Sequence, residues 1–293
     1  MLKTILAIAG ALMFLLLIWY SGPAAVWNAV TQANPLLFAA ALACLLLLTA
    51  LKGLRLHALL QHAGRLKRRE ALAVFSFGQL TNQGITTLLG EVAKGALLKK
   101  IHGFSFSNSM GVILVERGYD FLFTVFFAAI ALASLRPDWL PFLALLLAVA
   151  FFGVAAAAFA PSKWFSFLKR WKKLWESAAK FRHGIVGLRP QALCLAFAFS
   201  AVAWLFEGLG NHFIFSALGI QLPLLTVLGI TSAGLIVGFA TMIPGGIGSR
   251  EATMVLLYSA ADISAPAVIA QALLYRIGMT AVSLAAYVAA GKK

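Results

Sequence analysis

The sequence predicts an all-α polytopic membrane protein with six full crossings and two re-entrant helical hairpins, arranged as an inverted repeat. Three observations carry that prediction. The 293 residues are 62% hydrophobic and only 11% charged, with mean hydropathy +0.93, whereas a soluble domain carries about 25% charged residues. Too few charges remain to cover a water-facing surface, so lipid is the solvent. Apolar runs of about 20 residues, enough to span a bilayer as helices, recur along the chain. The basic residues collect in short stretches between those runs.

The net charge is +15, from 24 basic and nine acidic residues. The positive-inside bias accounts for it, so no nucleic-acid partner is expected. One basic group holds Lys52, Arg55, Arg65, Lys67, Arg68 and Arg69. A second runs from Lys163 to Arg189. Both are expected on the cytoplasmic side. Segments 21–35 and 217–223 carry no charge and are expected outside, together with loop 134–138.

Residues 2–20 resemble a signal peptide but are read as an uncleaved first crossing, because the repeat requires it. Residues 36–52 cross back. Stretch 71–101 enters and returns on one side, broken by Gly84, Gly90 and Gly95. Residues 105–133, 139–160 and 191–216 are crossings. Stretch 224–263 is the second hairpin, broken at Pro244-Gly245-Gly246-Ile247-Gly248, and 266–290 is the last crossing. Broken backbone at membrane depth is tolerated only inside protein or beside a wet cavity. The whole of 1–293 is one transmembrane domain with pseudo-repeats 1–133 and 139–293 and a cytoplasmic amphipathic segment at 162–189. In that segment Trp164, Leu168, Trp171 and Trp175 recur at helical spacing, which suits an interfacial helix on an anionic leaflet. Both termini are expected to be cytoplasmic. Cys44 and Cys194 lie in apolar runs, as small core residues.

A charge at the centre of a membrane helix costs about 3 kcal/mol on insertion scales, so such residues need partners or a wet cavity. Glu91 and Lys94 lie at the first hairpin, and Glu116, Arg117 and Asp120 in the next crossing. Glu207 and His212 lie near the outer end of 191–216. Arg250 and Glu251 close the second break, and Arg276 lies in the last crossing. Glu116 and Asp120 share a helical face and call for a cation between them, which Arg276 or Lys94 would supply. Arg117 follows Glu91 by 26 residues (91 to 117), and Arg276 follows Glu251 by 25 (251 to 276). In the second break Gly245 and Gly246 permit a tight turn with exposed amides. Ser249 is placed to cap the following helix, and Arg250 offers a fork suited to phosphate. Buried ion pairs that only fix helix packing are the alternative reading of the same charges.

The combination of Gly90-Glu91-Val92-Ala93-Lys94, Glu116-Arg117-Gly118-Tyr119-Asp120 and Ile243-Pro244-Gly245-Gly246-Ile247-Gly248-Ser249-Arg250-Glu251 resembles the lysylphosphatidylglycerol synthase transmembrane, or flippase-like, family over nearly the whole chain. The resemblance implies a bacterial or archaeal membrane domain that moves lipids or lipid-linked sugars between leaflets. No synthase domain accompanies it here, so lipid aminoacylation is not expected. The leading expectation is therefore a translocator in the bacterial cytoplasmic (inner) membrane, not an enzyme. It would act on a phospholipid, an aminoacyl-lipid or a polyprenyl-phosphate sugar. Arg250, Arg117, Arg276 and Lys94 would meet an anionic or phosphate headgroup, with Glu91, Glu251, Glu116 and Asp120 balancing them. No nucleotide loop and no His-Glu-x-x-His spacing appears, so neither cofactor nor metal is expected. Protein partners would be a second copy of the chain, through small residues such as Ala155 to Ala158, or a lipid-biosynthetic enzyme. An intramembrane enzyme acting on lipid headgroups, an ion or solute transporter on the same repeat, and a recruiting partner for other enzymes are the competing readings.

Overall fold

The computed structural model describes residues 2–61, 63–84, 87–135, 172–241 and 243–291. All regular structure among them is helical. The helices are α1 (Leu2–Ser21), α2 (Pro23–Thr31), α3 (Pro35–Leu60), α4 (Arg68–Gly84), α5 (Thr87–His102) and α6 (Phe106–Leu135). They continue as α7 (Lys172–Val186), α8 (Pro190–Ala217), α9 (Leu224–Ala240), α10 (Ser249–Ser259) and α11 (Ala265–Gly291), with a single 3-10 turn at Pro244–Gly246.

Among the described residues three helices, α3, α8 and α11, are long and apolar enough to cross a membrane unaided. The α1–α2 pair would be a fourth span, bent by 87°. Gly22, at φ 84°, makes that bend, and Pro23 opens α2 at the first helical position, where its missing N–H is not needed. The end of the stretch that resembles a signal peptide is therefore a corner. Helix α6 has 30 residues and carries Glu116, Arg117 and Asp120 at its middle. The expected crossing at 139–160 and the tryptophans at 164 and 171 lie outside the described residues. Residues 172–186 of the amphipathic segment form α7, which is docked on α6: a Cβ on Gly111 would sit 2.2 Å from the Phe181 carbonyl oxygen. The outward faces of α1, α3 and α8 show Leu15, Leu16, Leu46 and Leu195 as exposed apolar side chains, suited to lipid.

Asn34 starts α3. Its side chain accepts hydrogen bonds from the Leu36 N–H (2.9 Å) and the Leu37 N–H (3.3 Å), satisfying donors that a helix start leaves open. The helix then runs to Leu60, eight residues beyond the expected end at 52. Leu56, Leu59 and Leu60 are fully buried against Phe75, Leu98 and Phe104. Lys52 and Arg55, expected in a cytoplasmic basic loop, are consequently residues of the helix interior.

Gly84 ends α4, as expected of a break, but Gly90 and Gly95 lie inside α5. They are contact points. A Cβ on Gly90 would sit 2.0 Å from Asn82 Oδ1 and 2.3 Å from the Gly78 carbonyl oxygen. The two arms of the first hairpin therefore touch backbone to backbone. The second break holds Gly245, Gly246 and Gly248 at φ 61°, 62° and 84°, a left-handed run that only glycine adopts without strain.

The packing has a two-fold pattern. Helix α3 lies along α8. Helix α6 packs on α9 as α11 packs on α4, and α5 meets α6 as α10 meets α11. Exchanging α3–α6 with α8–α11 maps the α3–α8 pair onto itself and each of the others onto its counterpart. Helix α1, whose counterpart at 139–160 lies outside the described residues, leans on the second break, where Gly10 leaves room for Ile243 and the Ile247 carbonyl.

The glycine contacts predict a stability difference. Gly90→Ala should destabilise the protein by about 1–3 kcal/mol through overpacking. Gly291→Ala, at a position with no heavy atom within 4 Å of the new Cβ, should leave the midpoint of thermal unfolding in detergent where it is. Equal midpoints for the two variants would refute the close approach.

Candidate functional site

The two breaks meet. A Cβ on Gly245 would lie 3.4 Å from the Gln83 carbonyl oxygen and 3.6 Å from that of Asn82, both in the last turn of α4. Beside this contact is a cavity of about 130 Å³, room for about four waters at the ~30 Å³ each occupies in the liquid. Its wall carries four cations, Lys52, Arg117, Arg250 and Arg276, and two carboxylates, Asp120 and Glu207. Gly245 and Gly246 contribute backbone, while Trp204 and Tyr275 contribute rings.

Each half holds one glutamate–arginine pair in the same place. Arg117 of α6 donates to Glu91 Oε1 of α5. Arg276 of α11 donates to Glu251 Oε1 of α10, from Nη2 at 2.7 Å and from Nε at 3.1 Å. The spacings of 26 and 25 residues mark these two pairs. The second pair also fixes the break. Arg276 Nη2 donates to the Gly245 carbonyl at 3.2 Å, and the Gly248 N–H donates to Glu251 Oε2 at 2.7 Å. That N–H stands at the start of α10, where no intrahelical acceptor exists.

The first half adds a larger network. Arg55 of α3, with no exposed surface, donates to Asp120 at 2.8 Å, to Glu116 at 3.0 Å and to Ser200 Oγ of α8 at 3.0 Å. Arg55, and not Arg276, is the cation shared by Glu116 and Asp120. Lys94, also fully buried, meets Glu116 (3.1 Å) as expected, but its second partner is Glu91 (2.8 Å) and not Asp120. Lys52 reaches Asp120 at 3.5 Å over the face of Trp204. Four cations (Lys52, Arg55, Lys94, Arg117) thus meet three carboxylates (Glu91, Glu116, Asp120), leaving this cluster at +1.

The second half is sparser and nearly free of ion pairs. Arg250 lies with Cζ 4.8 Å from the Tyr275 ring centre, in cation–π range. Among the described residues no carboxylate comes within 4.0 Å of it, and its buried Nε has no hydrogen-bond partner. Glu207 accepts from the Tyr275 hydroxyl at 2.7 Å and from Asn211 Nδ2 at 3.4 Å. Gln271 braces Asn211 at 2.7 Å. Two cations (Arg250, Arg276) and two carboxylates (Glu207, Glu251) leave this half neutral.

Of the residues expected at the site, Arg117, Asp120, Gly245, Gly246, Arg250 and Arg276 line the cavity. Glu91, Lys94, Glu116 and Glu251 stand behind it and hold the lining arginines or one another. Ser249 caps nothing: Gly248 occupies the N-cap, and the Ser249 hydroxyl bonds to the Gly246 carbonyl (3.3 Å) and to Thr241 Oγ1 (2.9 Å). Lys52 and Arg55 are expected from sequence only as cytoplasmic loop cations and Glu207 only as a buried charge, while Trp204 and Tyr275 carry no mark in it. The signal for Lys52 and Arg55 is the apolar spacing of Leu48, Leu56 and Leu59, which continues through them.

Comparison with known proteins points to a membrane-protein family. The family described as "Lysylphosphatidylglycerol synthase TM region" matches residues 5–286. The chain is 26% identical over 207 residues to UPF0104 membrane protein MJ1078 of Methanocaldococcus jannaschii, covering 67% of this chain and 86% of the relative. It is 25% identical over 282 residues to a UPF0104 membrane protein of Methanothermobacter thermautotrophicus, covering 84% of this chain and 80% of the relative.

The network orders the effects of substitution. Arg55→Met leaves Glu116 and Asp120 short of a buried cation and should cost about 3–5 kcal/mol, read as loss of folded protein in detergent. Arg250→Ala breaks no ion pair and should cost clearly less. The reverse order would show that Arg55 is not the anchor of the bundle.

Proposed function

The chain belongs to the lysylphosphatidylglycerol synthase transmembrane-region family, and on that premise we propose that it is a lipid translocator whose phosphate-bearing headgroups cross through the arginine-lined cavity. The observation that carries the proposal is Arg250. It is 8% exposed, faces the cavity and lacks a carboxylate partner among the described residues. An unpaired buried cation is costly, and a phosphate would compensate it with charge-assisted hydrogen bonds.

The setting supports the same reading. Irregular backbone beside a charged cavity, formed where two broken segments meet, is how transporters build midplane sites. The two-fold packing pattern supports the pseudo-repeats as an inverted pair. The cavity also has an apolar flank of Leu235, Phe239 and Met279, with Phe239 43% exposed. A headgroup among the arginines would leave its acyl chains along that flank, in lipid. The protein would sit in the cytoplasmic membrane with both termini on the cytoplasmic face. The headgroup would cross unmodified.

The test is reconstitution into vesicles carrying trace phospholipids labelled on the acyl chain, with dithionite quenching to report leaflet exchange. The purified protein should speed exchange. Arg250→Ala should slow it by at least about tenfold, the loss expected when one partner of a desolvated charge pair is removed. Exchange no faster than in empty vesicles for every lipid tried, or an Arg250→Ala rate equal to wild type, would refute translocation through this cavity.

A further inference from the structure

Arg250 on α10 and Glu207 on α8 differ from every other charge on the cavity wall. Lys52 lies 3.5 Å and Arg117 3.3 Å from Asp120, and Arg276 lies 2.7 Å from Glu251. Arg250 and Glu207 have no oppositely charged group within 4.0 Å among the described residues, including each other. Both are nearly buried, at 8% and 5% exposure.

Tyr275 is what holds them near but apart. Its ring lies under the Arg250 guanidinium at 4.8 Å, and its hydroxyl donates to Glu207 Oε1 at 2.7 Å. Asn211 Nδ2 approaches the same oxygen at 3.4 Å. Both donors therefore converge on Oε1, leaving Oε2 as the oxygen available to a ligand. Tyr275 thus touches Arg250 with its ring and Glu207 with its hydroxyl.

Two uncompensated charges of opposite sign thus share one wall. A purely anionic headgroup would satisfy Arg250 and be repelled by Glu207. A purely cationic one would do the reverse. Only a group carrying both charges satisfies both residues, because leaving either ion unpaired in a desolvated site is costly. Bidentate arginine favours phosphate, and a carboxylate oxygen favours an N–H-bearing ammonium.

We infer that the cavity is built for a net-neutral zwitterionic phospholipid headgroup, with the phosphate on Arg250, the ammonium on Glu207 and Tyr275 as the spacer that sets their separation. This rests on the translocator reading and names the substrate class of the same cavity. A phosphodiester of ethanolamine is the simplest such group. Glu207 is the residue that determines specificity, rejecting headgroups that carry phosphate alone.

The experiment uses the full-length protein in vesicles of equal phosphatidylethanolamine and phosphatidylglycerol, with an acyl-labelled trace of one or the other. Wild type should exchange phosphatidylethanolamine at least about tenfold faster than phosphatidylglycerol, and Glu207→Gln should collapse that ratio toward one, as for loss of one buried charge partner. A second measurement reads binding without transport: stabilisation against heat in detergent by short-chain forms of the two lipids. Wild type should be stabilised more by the ethanolamine lipid, and Glu207→Gln should lose the difference. If neither lipid crosses but that stabilisation holds, translocation fails and the headgroup assignment stands. If phosphatidylglycerol crosses or stabilises as well as phosphatidylethanolamine, or Glu207→Gln keeps the wild-type preference, the assignment is overturned. The wild-type comparison alone decides should the variant fail to fold.

Discussion

Arg55 is a permanently charged side chain with no exposed surface, inside a bundle whose outer face is apolar. That placement constrains everything around it. Such a cation persists only where carboxylates and hydroxyls meet most of its donors. Glu116 and Asp120, one turn apart on α6, meet it from one side, and Ser200 of α8 meets it from another. The requirement sets the register of three helices at once. It also passes outward: Asp120 holds Arg117, Arg117 holds Glu91, and Glu91 accepts from Asn82 of α4 at 3.0 Å. The first hairpin is thereby tied to the central helices through a continuous chain of charge.

The second hairpin is held by a shorter chain that begins at Arg276. This one guanidinium grips the Glu251 carboxylate and the Gly245 carbonyl, so the last helix and the tip of the break are joined directly. The left-handed glycines let the tip turn sharply enough to present that carbonyl. Because α11 also packs on α4, and the tip abuts the end of α4, the two hairpins are mutually located by α11. The cavity is the space these contacts leave between Arg117 on one side and Arg250 and Arg276 on the other.

The parts of this architecture that depend on spacing along the chain were legible in the sequence. Glu91–Arg117 and Glu251–Arg276 are examples, as is the tight turn at Gly245 and Gly246. Features that depend on neighbours across the fold were not. Lys52 and Arg55 read as loop cations because charge near the end of an apolar run looks the same whether it faces water or a buried carboxylate. Gly90 read as a break because a glycine that bends a helix and one that admits another backbone share one letter. Ser249 looked like a cap, but the left-handed Gly248 before it takes that position. Tyr275 gave no signal, since its role comes from Glu207 on α8 and Arg250 on α10. The corner at Gly22-Pro23 was visible only as an ambiguity.

The unequal charge content of the halves has a mechanical consequence. Among the described residues, the first half of the site is cross-linked by four cations and three carboxylates, several with no exposed surface, while the second holds one ion pair, the amide bond from Gln271 to Asn211 and the bond from the Tyr275 hydroxyl to the Glu207 carboxylate. Separating buried ions is far costlier than exchanging neutral hydrogen bonds with water. The two halves therefore differ in what it costs to part their helices, despite their matched packing.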